Sequence, residues 1–208
     1  SVNKPTFREY LQEYWVASIL STPASHERNL IGNAVNAVLE NAVVRPVAAM
    51  WDSAAVGRTG QREVFLRETP AAIVGLTRGM RQGIRRGFEV IKRGYDVESM
   101  TGKLYPLRSA FARSQNRVVR DIVGPVVTMP LRLLAASDAV FLTMNHTAEL
   151  YAQAAKSALK KGLSGDDFAK EVAQLVGNPT DEMLSLADKF ATKATFNDEA
   201  SEIGKAVM

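Results

Sequence analysis

The sequence predicts an all-α fold, a multi-helix elongated or bundle-like module with long proline-kinked helices and no sheet. Apolar residues recur at helical spacing along most of the 208 residues, and strand alternation is almost nowhere to be found. Helix start signals recur as well, in the form of Thr-Pro pairs and a capping box. With 46% hydrophobic residues and a mean hydropathy of -0.09, the chain is too apolar to be disordered and long enough for one substantial core or two small ones.

The elements follow in order. Thr6 and Glu9 form a capping box ahead of "REYLQEYWVASIL", which predicts a first helix near 6–21. Its Tyr10, Tyr14 and Trp15 suit a core edge or an interface. Thr22-Pro23 opens a second helix near 23–53. There Leu30, Ala34, Val38 and Ala42 form one row and Ile31, Val35, Leu39 and Val43 the next, giving a broad apolar face. Asn29, Asn33 and Asn36 read as local polar packing. Pro46 is expected to bend or break this helix, because proline lacks the backbone donor and crowds the preceding turn, with Trp51 packed just beyond. "GRTGQRE" reads as a turn. Thr69-Pro70 opens a third helix near 70–93, and a loop or turn is expected around Tyr95–Pro106. Helical spacing resumes near 107–123, breaks at Pro125 and Pro130, and continues near 131–161. Gly162 closes that helix, Ser164 or Gly165 starts another, Thr180 caps a short one to about Thr192, and Asn197 is expected to open a last.

The third helix raises the sharpest question, because Gly75, Gly79, Gly83 and Gly87 recur on every turn of it. Each interior Gly costs about 1 kcal/mol relative to Ala, so something must offset the loss. Small residues at spacing four let two helix backbones approach closely. The strip therefore reads as a helix-docking groove, flanked by Leu76, Met80, Ile84 and Phe88. Its occupant is another part of this chain or another subunit. Lipid fits less well, since each nearby Arg is costly at a membrane centre. Arg78, Arg81, Arg85 and Arg86 lie mostly away from the strip and form a basic back, a candidate face for an anionic partner.

Charge divides the chain. All 16 Arg lie at or before Arg132, whereas residues 164–208 hold nine acidic and four basic residues, a net of −5. Residues 1–163 thus read as a basic helical region and 164–208 as a small acidic helical tail. Between Gly57 and Arg93, nine Arg or Lys oppose three Glu, a local +6 that suits nucleic acid, acidic lipid or an acidic protein face, or else a solvated helix. No stretch of about 18 residues is free of charge. The nearest candidates are interrupted by Glu40 or Asp138, so no ordinary spanning helix is expected. No basic-then-apolar leader is visible.

The chemical search predicts no catalytic, cofactor or metal residues. Cysteine is absent, which removes thiolate sites and disulfides. Only His26 and His146 supply imidazole. Asp138, His146 and Glu149 supply one reversed fragment of a carboxylate–histidine bundle, far short of its roughly six ligands. Asp138 and His146 are therefore read as structural polar contacts, and no enzyme or cofactor is expected.

"ILSTPASHERNLIGN", "PLRLLAASDAVFLTMNHTAELYAQA", "GLSGDDFAKEVAQLVGNP" and "ATFNDEASEIGKAV", in that order, resemble segments of very large structural proteins of tailed bacteriophages and prophages. That family includes internal virion proteins that leave the capsid with or before the genome. The resemblance implies a helical structural segment of a longer chain, located in the virion and then in the host cell envelope, that helps build a conduit for DNA ejection. Expected partners are copies of itself and other virion proteins, with non-specific DNA contact and host membrane surface contact. The alternative reading is a non-enzymatic nucleic-acid-binding helical module of a large phage or mobile-element polypeptide.

Overall fold

The computed structural model describes residues 4–59, 66, 68–93 and 109–195, and every regular element among them is helical. The protein is an all-α, multi-helix fold. Helix α1 is Phe7–Leu20 and opens with the Thr6 capping box. Helix α2 runs without a break through Pro23–Leu39, a π-helical turn at Glu40–Val44, and Arg45–Thr59. Helix α3 is Glu68–Arg93, α4 is Val119–Lys160, α5 is Gly165–Gly177 and α6 is Asp181–Ala194. The Thr180 hydroxyl caps α6 by accepting from the Met183 N–H at 3.3 Å. The loop expected around Tyr95–Pro106 and the helix expected from Asn197 lie outside the described residues.

The prolines do not break their helices. In α2 the π turn ends two residues before Pro46, and Arg45 N–H reaches back to the Glu40 carbonyl. In α4 a second π turn, Val119–Val123, ends two residues before Pro125, with Gly124 N–H on Val119. A wider turn makes room for the ring and rearranges the carbonyls that proline cannot serve. Helix α4 also continues through Pro130, so the helices expected near 107–123 and 131–161 are corrected to one.

Ser109–Asn116 is turn rather than helix. Glu13 of α1 accounts for this: its carboxylate accepts from the Ser109 hydroxyl and from Ala110 N–H at 2.7 Å, drawing those donors out of any helical ladder. Asn116 then receives Val118 N–H at 2.9 Å, where α4 is about to begin.

The chain divides into two compact units. Unit 1 comprises residues 1–32 and 84–140. In it α1 sits on the 109–114 turn, with Tyr10 edge-to-face on Phe111 at 5.1 Å, and Val90 of α3 packs with Ala136 and Ala139 of α4. Arg132 donates to the Ile91 carbonyl at 3.2 Å, near the end of α3. Unit 2 comprises residues 33–83 and 141–208. Its core joins Leu150, Tyr151, Ala154, Ala155 and Ala158 of α4 to Val172 of α5 and to Met183 and Ala187 of α6. The acidic segment therefore contributes directly to this core.

The interior is built from small residues. Ala37, Ala49, Ala72, Ala148, Ala154, Ala155, Ala158, Ala187 and Ala191 are all but fully buried, and the largest side chains buried to that degree are Val90, Asn33, Asn41 and Asn145. The large aliphatic and aromatic side chains lie mostly outside. In α2 the buried row is Asn33, Ala37, Asn41 and Ala49, while the expected apolar face, including Leu30, Ile31, Val35, Val38, Leu39 and Val43, is exposed. Trp51, expected to be packed, is 75% exposed.

Candidate functional site

In unit 2, Gly75 and Gly79 bring α3 onto the backbone of α4. A Cβ built on Gly75 would stand 2.7 Å from the Thr147 carbonyl oxygen and 2.8 Å from Ala148 Cα. One on Gly79 would stand 2.8 Å from Met144 Cα. Real Cβ atoms do not approach backbone so closely, so only glycine permits this spacing. In unit 1, Gly87 faces α4 less tightly, and a Cβ built there would stand 3.0 Å from Val140 Cγ2. Gly83 is buried too. The occupant of the strip is a helix of the same chain, and the flanking Met80, Ile84 and Phe88 are left exposed.

The four arginines of α3 divide by environment. Within unit 2, Arg78 and Arg81 are both exposed, and Arg78 donates to the Tyr151 hydroxyl and lies 5.4 Å over the ring centroid. Within unit 1, Arg85 is exposed and Arg86 is half-buried. Arg78, Arg81 and Arg85 are thus all exposed, with Arg78 held by Tyr151.

A cleft of about 680 Å³ with mixed polar and apolar walls opens in unit 2 between α2, α4 and α6. Arg45 and Glu149 pair at its wall, with the Arg45 guanidinium 4.8 Å over the Phe190 ring. Gln153 donates to the other Glu149 oxygen at 3.0 Å. Both oxygens of that carboxylate are engaged, so it is ill-placed to act as a general base; the arrangement fixes three helices together. The signal lay in the sequence as Arg45 and Glu149, but nothing local could have matched residues so far apart in the chain.

His146 Nε2 lies 3.2 Å from Asp188 Oδ1 on α6, whereas Asp138 belongs to unit 1. His26 lies in α2, and its side chain is outside the described residues. Asn36 donates to the Ala194 carbonyl, and Asn41 to the Ala37 carbonyl at 2.8 Å. The Asn145 amide is fully buried with no hydrogen-bond partner among the described residues. No group of three or more His, Cys, Asp or Glu that could hold a metal ion occurs among the described residues.

The feature that sequence reasoning missed is the scale of the outward apolar surface. From Val35 to Met50, α2 presents Val35, Val38, Leu39, Val43, Val47 and Met50 to the exterior of unit 2, while Arg45 is turned inward. Helix α4 is long and apolar enough to cross a membrane, with a mean hydropathy of 1.5 over an 18-residue window of which 28% is buried. The measure rests on length and composition only, and the core helix of a soluble protein meets it as well. Comparison with family models, curated proteins and solved structures finds no match to this chain.

Proposed function

We propose that the chain is a structural segment of a phage virion protein of the ejected class, which assembles through helix packing into a conduit for genome delivery across the host envelope. The phage assignment rests on the resemblance of the four quoted segments. Assembly rests on one observation: the large apolar side chains of α2 point outward while alanine and glycine fill the interior. Val38 is 55% exposed and Met50 61%, and burying the remaining surface of each such side chain against a partner contributes about 1–2 kcal/mol. A monomer in water forgoes that gain, and a second helix laid along the row recovers it. In this reading the chain acts without catalysis, its partners are copies of itself and other virion proteins, and it passes from virion to host envelope.

Sedimentation velocity and electron microscopy of the purified chain test the reading. Rings or tubes are expected from the parent, and from a Val35→Glu, Val38→Glu variant monomers that melt at the midpoint of the dilute parent whatever the protein concentration. A parent that stays monomeric at high concentration would refute assembly. The second reading, a nucleic-acid-binding helical module, is favoured by the exposed Arg81 and Arg85. It requires tight duplex binding whose salt dependence flattens by about one unit for each Arg→Gln change that removes a phosphate contact.

A further inference from the structure

Helix α1 is polarised in the reverse sense to a helix that meets only water. Its two carboxylates face the body of unit 1, where Glu9 pairs with Arg113 at 2.6 Å and Glu13 holds the 109–111 backbone. Its outer face carries Phe7, Leu11, Tyr14, Trp15 and Ile19, each more than half exposed, with Phe7 at 77% and Trp15 at 66%. Their spacing places all five within one arc of the helix. Lys4 and Arg8, both exposed, stand at the same end.

Charge indicates what covers this face. Unit 1 carries 13 Lys and Arg against 8 Asp and Glu, a net of +5, while the rest of the chain nets −1. A second unit 1 would set like charge against like. Duplex DNA would meet the charge and leave the aromatic stripe in water. An acidic bilayer surface satisfies both, because the acyl boundary accepts the apolar arc, Tyr and Trp rings favour the headgroup level, and basic side chains gain from anionic lipid. Ile122 and Val126 at the start of α4 extend the exposed apolar surface of the same unit.

We propose that unit 1 binds the surface of an anionic lipid bilayer, with α1 lying in the interface and its Phe7–Ile19 stripe in the acyl boundary. This deepens the envelope reading and rests on it for the setting in which a bilayer is met; the α2 assembly face is a separate surface.

Trp15 and Trp51 are the two tryptophans, so a full-length Trp51→Phe chain reports on α1 alone. With vesicles of mixed phosphatidylglycerol and phosphatidylcholine, Trp15 emission should shift to the blue and be quenched by brominated acyl chains. Phosphatidylcholine vesicles should bind ~10-fold more weakly or worse, and added salt should weaken the anionic binding. Leu11→Glu combined with Ile19→Glu should leave the melting midpoint unchanged and lower vesicle affinity by ~100-fold. The proposal is overturned by an unmoved Trp15 emission, by equal binding to both vesicle types, by full binding in the double Glu variant, or by duplex DNA captured in preference to vesicles. Failure of the assembly reading registers elsewhere, as loss of the sedimenting oligomer with the Trp15 shift retained.

Discussion

Alanine at Gly75 isolates the close approach of α3 to α4. The added Cβ would meet the Thr147 carbonyl oxygen at 2.7 Å, Ala148 Cα at 2.8 Å and Tyr151 Cβ at 2.9 Å. All three are backbone atoms or the first atom of a side chain, so none can swing aside and α3 must retreat. Alanine gains about 1 kcal/mol in helix propensity. Overpacking costs about 1–3 kcal/mol, and an obstruction made of backbone places this site at or beyond the upper end. The net expectation is a loss of about 2 kcal/mol, which lowers the melting midpoint by about 4–8 °C in a chain of this size. Gly32, in α2, supplies the control: a Cβ there meets nothing within 4 Å, so Gly32→Ala should keep the propensity gain and raise the midpoint. Thermal melting followed by circular dichroism reads both. A Gly75→Ala chain that melts at or above the parent, beside a stabilised Gly32→Ala, would refute the docking geometry.

Glu149→Ala leaves the Arg45 guanidinium largely buried without its carboxylate and should cost about 3 kcal/mol in urea denaturation, whereas Arg45→Met with Glu149→Leu should recover most of that loss. Asn145→Leu removes a buried amide without a partner and should stabilise the chain by about 1 kcal/mol; a lower melting midpoint would mean that the amide is satisfied in solution. The Thr6 backbone N–H and then Arg113 hold the Glu9 carboxyl down to about 2 from its ordinary 4.5. Because the folded value is the lower one, its contribution is complete above about pH 4.5 and lost as pH falls toward 2, so Glu9→Gln should flatten the midpoint-against-pH curve across that window.

Local chemistry was legible in the sequence. Thr6 with Glu9 marks the start of α1, Thr180 marks that of α6, and four glycines at spacing four mark a face where another helix comes close. What resisted reading depends on residues distant in the chain. The 109–116 turn looks helical until Glu13 is laid against it, and His146 has no evident partner until α6 brings Asp188 alongside. Pro46 and Pro125 read as breaks because a proline's cost is normally counted in an unmodified α-helix. The π turn two residues ahead of each is a solution that periodicity does not encode.

The same π turn explains why the buried side of α2 was the harder one to find. At 3.6 residues per turn, a row spaced by four drifts about 40° per step, so the row from Asn33 to Ala49 would drift about 160° and leave the core. The turn at Glu40–Val44 takes up most of that drift and keeps Asn33, Ala37, Asn41 and Ala49 on one side. The valine and leucine rows are thereby held outward along the helix. Apolar periodicity reveals that a face needs cover, but it cannot say whether the cover belongs to the same chain. Here residue size carries that distinction: alanine and glycine at spacing four allow backbones to close within the chain, while the larger side chains, about half exposed, keep about 1–2 kcal/mol each in reserve for whatever covers them. The outward rows offer burial that the chain's own core does not supply, so assembly or a bilayer would raise its stability. The melting midpoint should therefore climb with protein concentration, and a midpoint independent of concentration and of anionic vesicles would contradict the argument.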